Sequence, residues 1–262
     1  MTDIRGTEIF ARYAYAPNQL GYCGPSESTA LREGSPEQVW SAARRFSGAW
    51  PYLRVMAEMT GIADPLDHRL VESYWLGGGL GAQLDTEEFT AALLAVIAPL
   101  AGHYWAHLTA DLAAEAAPNH CFHVFGVYPW SRLLGRGMDE HPIHVLDSCR
   151  IGWGTVLRRD GDDLSILGRG LVWDQEALRL SEPSPRHARI DGFDAAPRVR
   201  TGDQVAVHWG RLCDRLTSAQ VYDLAASTER QLLLTNRRLR RESATAPGAG
   251  AGNVEEMGGG FH

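Results

Sequence analysis

The chain has 262 residues, 44% hydrophobic and 22% charged, within the range of an ordinary globular protein. All 25 of its basic side chains are arginine. It therefore has no lysine to complete a Gly-Lys-Ser/Thr phosphate loop or to form a Schiff base. The net charge of −7 does not favour binding to nucleic acid or an anionic membrane.

Residues 1–117 read as a helical domain. Ser35 followed by Pro36 is an N-cap with proline at the first helical position, and opens a helix to about residue 46. Asp85-Thr86-Glu87-Glu88 opens another, with acids in its first turn and Phe89, Leu93, Leu94 and Ile97 spaced for one buried face. A third helix is expected over residues 100–116. The glycine-rich run at 76–81 is a loop that needs backbone freedom; it is not GxGxxG and follows no clear strand.

Residues 118–147 read as a β-containing bridge. The run HCFHVFGV at 120–127 alternates and is rich in aromatic and β-branched residues, which predicts a strand ended by Tyr128-Pro129-Trp130. Residues 143–146 form a second short apolar run. Residues 148–241 have the pattern of a small β-barrel with a closing helix. Its strands are expected at 149–157, 164–167, 170–173, 177–180, 186–190 and 204–210, with a hairpin turn at 159–163. Thr217 caps the closing helix, which runs to about residue 241. The Ala/Gly-rich tail, 242–262, is expected to be disordered. The fold class is α+β: a helical N-terminal domain plus a small OB-like β-barrel with a C-terminal helix.

No apolar stretch is long enough to span a bilayer. No signal peptide is visible, so a cytoplasmic location is expected. Cys23, Cys121, Cys149 and Cys213 lack CxxC spacing and are expected as free thiols. Cys149 starts one expected barrel strand and His208 ends another. The first and last strands of a small barrel pair with each other, so the two side chains can face one another. A buried strand thiol and a strand-end surface histidine are the plain alternatives.

The run Gly202-Asp203-Gln204-Val205-Ala206-Val207-His208-Trp209-Gly210, followed by Leu216 and a helix, resembles the end of the HypC/HupF-type chaperones of nickel-iron hydrogenase assembly. Those proteins begin Cys-x-x-x-Pro-Gly, and the counterpart here is Cys149-Arg150-Ile151-Gly152-Trp153-Gly154, with Trp153 in the place of the proline. The resemblance covers residues 149–236. It implies Cys149 and His208 as ligands of iron, carried as the Fe(CN)2CO fragment. It implies as partners a [NiFe]-hydrogenase large-subunit precursor and a HypD-type maturation protein. Residues 15–25 (YAPNQLGYCGP) and 124–130 (VFGVYPW) resemble an uncharacterised family found beside actinobacterial hydrogenase genes.

The chemistry is consistent with this. Iron(II) with strong-field ligands suits soft thiolate plus imidazole, and a carrier needs few protein ligands because its cargo must leave. Arg150 is expected to lower the Cys149 pKa, and Asp147 to orient His208 by accepting its ring N–H. A Cys-His group-transfer enzyme and a non-catalytic interaction module are the alternatives.

Other clusters compete. His103 and His107 are i and i+4 on the expected third helix and could grip a metal, or form a half-buried face beside Trp105. On a strand, His120 would point away from Cys121 and His123, leaving that pair as a possible metal site. Cys23, in Gly21-Tyr22-Cys23-Gly24-Pro25, is a turn thiol open to reactivity or metal transfer, or one kept for packing.

Overall fold

In the computed structural model, residues 2–26, 29–97, 110–190 and 197–245 are described. Helix α1 (Ile4–Gln19) starts at Asp3, whose carboxylate accepts from the Gly6 N–H. The same carboxylate accepts from the backbone and Nδ1 of His68, the first residue of α5 (His68–Leu76). One aspartate thus satisfies an orphan helix N–H and fastens two helices together. Their approach is close: a Cβ on Gly6 would strike the Leu66 carbonyl.

Between them lie α2 (Thr29–Glu33), α3 (Pro36–Ala43) and α4 (Ala49–Thr60), and α6 (Thr86–Ile97) follows. Ser35 and Gln38 cap α3 reciprocally, and Glu87 and Glu88 occupy the first turn of α6. Of the expected third helix, Ala110–Ala114 form a 3₁₀ turn. His103 and His107 lie outside the described residues.

Residues 120–127 are not a strand. Asn119 caps a single helical turn, α7 (His120–Phe122), which widens into a π turn over His123–Val127. All eight residues are buried. Their alternation therefore marks no solvent face, and the sequence periodicity misleads. The second apolar run belongs to α8 (Glu140–Cys149), so the bridge contains no strand among its described residues.

The chain is α+β, with five strands in one mixed sheet: β1 (Gly152–Asp160), β2 (Asp163–Gly168), β5 (Ser184–Arg189), β6 (Gln204–His208) and β7 (Arg211–Arg215). Pairing runs β1-β2-β5-β7-β6 and returns from β6 to β1, with Gly152 opposite Val207. β5 and β7 meet in parallel at Arg189 and Arg211 alone. β3 (Leu171–Trp173) and β4 (Leu178–Leu180) stay outside as a two-stranded sheet. The Asn236 side chain bonds both backbone polar groups of Leu178 and ties that sheet to α9 (Ser218–Thr245). β7 has no counterpart among the expected strands; it begins just after a tight turn at Trp209 and Gly210, both at positive φ.

Helices and sheet share a core. Ile151, Ala206, Cys213 and Leu216 belong to the same apolar cluster as Phe10, Tyr52 and Tyr74. Arg12 reaches from α1 to the Cys213 carbonyl and to Asp214, at 2.9 and 2.7 Å. The triple glycine Gly77-Gly78-Gly79 takes left-handed φ values of 78°, 64° and 54°. Side chains at Gly77 and Gly78 would run into Ser227 and Asp223 of α9, so the loop is shaped for packing against that helix. A buried ion pair, Glu115–Arg238 at 2.6 Å, anchors α9 further along. Among the described residues no helix is long and apolar enough to cross a membrane.

Candidate metal centre

Three segments remote in sequence end at one point. α8 terminates at Cys149 and β6 at His208. The Trp209 N–H donates to the Ser148 carbonyl at 2.9 Å, which holds the end of β6 against the end of α8. α7 begins there with His120, fixed in place by the Asn119 cap. One ligand atom each from His120, Cys149 and His208 lie within 4.8 Å of one another, and all three residues are buried. A metal bound by all three would draw such atoms to about 3–4 Å apart, given bonds near 2.0–2.3 Å. The three residues are thus near enough to one another to be candidates for a single ion.

Hydrogen bonds fix the imidazole tautomers, because a carbonyl can only accept. His208 Nδ1–H donates to the Tyr13 carbonyl at 2.7 Å, and Nε2 makes no hydrogen bond of normal geometry among the described residues, although the Cys149 backbone lies close enough to the ring to interact with it. His120 Nε2–H donates to the Cys149 carbonyl at 2.9 Å. Its remaining lone pair, on Nδ1, accepts from the Tyr74 hydroxyl at 3.2 Å. Backbone carbonyls therefore orient both rings and leave a basic nitrogen on each, the arrangement used to hold metal-binding histidines.

Burial sets the electrostatics. It lowers the His208 pKa to about 4 and carries that of His120 well below the usual imidazole range, where His208 and His123 also disfavour a charge. Both rings are neutral near pH 7, the state a metal ligand requires, and the Tyr74 hydroxyl would have to yield the His120 lone pair to a metal. Burial pushes the Cys149 thiol up, with the nearby Cys23 adding to the effect and Trp209 opposing it. Without metal, Cys149 is a protonated thiol.

Asp147 and Arg150 do not act as expected. Cys149 ends a helix instead of starting a strand, so Asp147 shares no strand face with it. Asp147 instead accepts from Arg150 at 2.8 Å, from Arg186 at 2.6 Å and from the Leu171 N–H at 2.9 Å. The acceptor that orients His208 is the Tyr13 carbonyl. Arg150 is matched by Asp147 and by the Arg169 carbonyl, so its charge does not offset the desolvation of the thiol. A strand over 120–127 puts His120 on the wrong face; the dense His/Cys spacing at 120–123 is the signal the sequence carries.

The helical conformation also separates Cys121 from His123. Cys121 lies against Thr228 of α9, its thiol pushed up to about 12 by burial. His123 turns towards Tyr52 and Tyr128. Cys23 is half-buried in a turn whose Cys23 and Pro25 carbonyls accept from Asn18.

Residues 2–242 match the model of a family described as a family of unknown function, DUF6390. The chain belongs to that family. No curated protein and no solved structure matches it.

Proposed function

We propose that this DUF6390 protein is an accessory protein of nickel-iron hydrogenase maturation. It holds iron, or the Fe(CN)2CO fragment, on Cys149, His208 and His120 and passes it to the large-subunit precursor, in concert with a HypD-type protein. The observation that carries the reading is the convergence of one thiol and two neutral imidazoles.

Thiolate and imidazole suit a low-spin iron group, and three protein ligands with two cyanides and one carbonyl complete a six-coordinate iron, so transfer to the receiving protein proceeds by exchange of the protein ligands. A closed site of four protein ligands would retain its metal instead. The Gly-Asp-x-Val-x-Val-His strand and the OB-like reading of the five-stranded sheet support the link to HypC-type chaperones. A nucleophilic Cys-His enzyme is less well supported, because burial keeps Cys149 protonated whereas catalysis needs an activated thiolate.

Infrared spectroscopy of the protein purified from a hydrogenase-producing host tests this. Cyanide and carbonyl bands in the wild type that vanish in Cys149→Ala are expected. Bands absent from the wild type, or unchanged in the variant, would overturn it.

A further inference from the structure

The inner cluster is buried, so metal needs a way in. A cavity of about 400 Å³ is lined by Tyr22, Gly48, Ile97, His123, Tyr128 and Trp130 among others, and includes none of the inner-cluster residues. His123 forms part of its inner wall. This side chain is only 3% exposed, yet neither of its ring nitrogens has a hydrogen-bond partner among the described residues.

Cys23 also comes close to Gly48. A Cβ on Gly48 would sit 2.8 Å from His123 Nε2 and 3.6 Å from Cys23 Sγ. The two potential ligand atoms therefore border one gap beside Gly48, too narrow for a methyl group because a Cβ there would overlap His123. Gly48 has φ −80°, which any residue can adopt, so the backbone does not require glycine there. The gap does. The Tyr128 hydroxyl hydrogen-bonds the Cys23 thiol, and its ring packs 4.4 Å from His123, centroid to centroid. The His123 and His120 rings are stacked with centroids 6.0 Å apart. The cavity wall and the inner cluster are thus one ring-to-ring step apart.

We propose that Cys23 and His123 form an outer binding site for a soft divalent transition-metal ion, through which metal passes between the cavity and the inner cluster. The ligand pair stands on its own geometry; only the direction of passage rests on the reading of Cys149, His208 and His120 as a metal centre. Binding at the outer site forms one metal–sulfur and one metal–nitrogen bond, displaces water from the ion and releases the Cys23 proton to solvent. Movement inward breaks those bonds, returns a proton to Cys23 and removes one from Cys149, so the transfer is proton-neutral. The remaining coordination positions at the outer site stay with water, as a transfer site requires.

Cobalt(II) titration of the full chain tests this, read by thiolate-to-cobalt charge-transfer absorption. The wild type is expected to bind two equivalents. Cys23→Ser and His123→Ala are each expected to lose one equivalent and to fill the inner cluster more slowly. Gly48→Ala, which plugs the gap and removes no ligand, is expected to do the same. Two equivalents with unchanged filling rates in these three variants would overturn the proposal. If the inner centre alone is wrong, the wild type binds one equivalent that survives Cys149→Ser and is lost in Cys23→Ser, which supports the outer site. One equivalent lost in Cys149→Ser and kept in Cys23→Ser, or no cobalt binding in any form, overturns it.

Discussion

The protonation states of the inner cluster make the proton stoichiometry of metal binding a sharp test. His208 has a pKa near 4 and that of His120 lies well below the imidazole range, so at pH 7 neither ring has a proton to lose from its ligating nitrogen. Cys149 is pushed up by burial and is fully protonated there. Metal binding at this cluster must therefore release one proton, all of it from Cys149. Affinity then rises about tenfold, roughly 1.4 kcal/mol, for each pH unit across the neutral range. Ordinary imidazoles would instead add up to two further protons below about pH 6.5. Calorimetry of zinc or cobalt binding in buffers of different ionisation enthalpy reads the count directly, in Cys23→Ser so that the inner cluster alone reports. One proton is expected, falling to none in Cys149→Ser. No proton released by the unmodified cluster would mean that Cys149 is not the ligand or is already ionised. Two or three would mean that the rings are charged at rest, and either result refutes the reasoning.

Other expectations concern single side chains. A folded-state pKa of about 4 for His208, against about 6.5 unfolded, means that the unfolded chain binds the extra proton as pH falls. Stability is then full above about pH 6.5 and is lost progressively towards pH 4. Denaturant unfolding should show the wild type losing about 2 kcal/mol more than His208→Gln between pH 7.5 and 5; an equal loss would contradict the buried neutral ring. Tyr74→Phe removes the hydroxyl that occupies His120 Nδ1. It should tighten metal binding about fivefold, near 1 kcal/mol, while lowering apo stability by a similar amount; weaker binding would show that Tyr74 assists the metal. Arg238→Met leaves Glu115 buried without its countercharge. It should lower unfolding free energy by about 3–5 kcal/mol, with Glu115→Gln in the same chain recovering part of the loss; a midpoint unchanged from wild type would contradict this role for the pair.

Local signals in the sequence were reliable where they rested on backbone chemistry. Ser35-Pro36 caps α3, Gly161 turns β1 into β2, and Thr217 with Gln220 caps α9. The approach of Cys149 to His208 was legible through strand pairing, since β6 does lie beside β1, although Cys149 contributes from the end of a helix. The HCFHVFGV segment was not legible. With every residue buried, an alternating pattern cannot distinguish a strand from a wide helical turn. Gly126 permits that turn, because a Cβ there would press on the Phe122 ring. That single misreading hid His120 as the third member of the cluster and paired His123 with the wrong cysteine. The orienting carbonyl of Tyr13 was equally hidden, because a backbone acceptor contributed by α1 carries no side-chain signature. β7 is short, carries three charged residues, and pairs through its backbone with β6.

The most direct test of the central claim is X-ray absorption at the iron edge of the iron-loaded Cys23→Ser protein. One sulfur and two imidazole nitrogens bound to iron are predicted, with the sulfur lost in Cys149→Ser and one nitrogen lost in His208→Ala. Iron held by oxygen alone, or a sulfur contribution that survives Cys149→Ser, would contradict it.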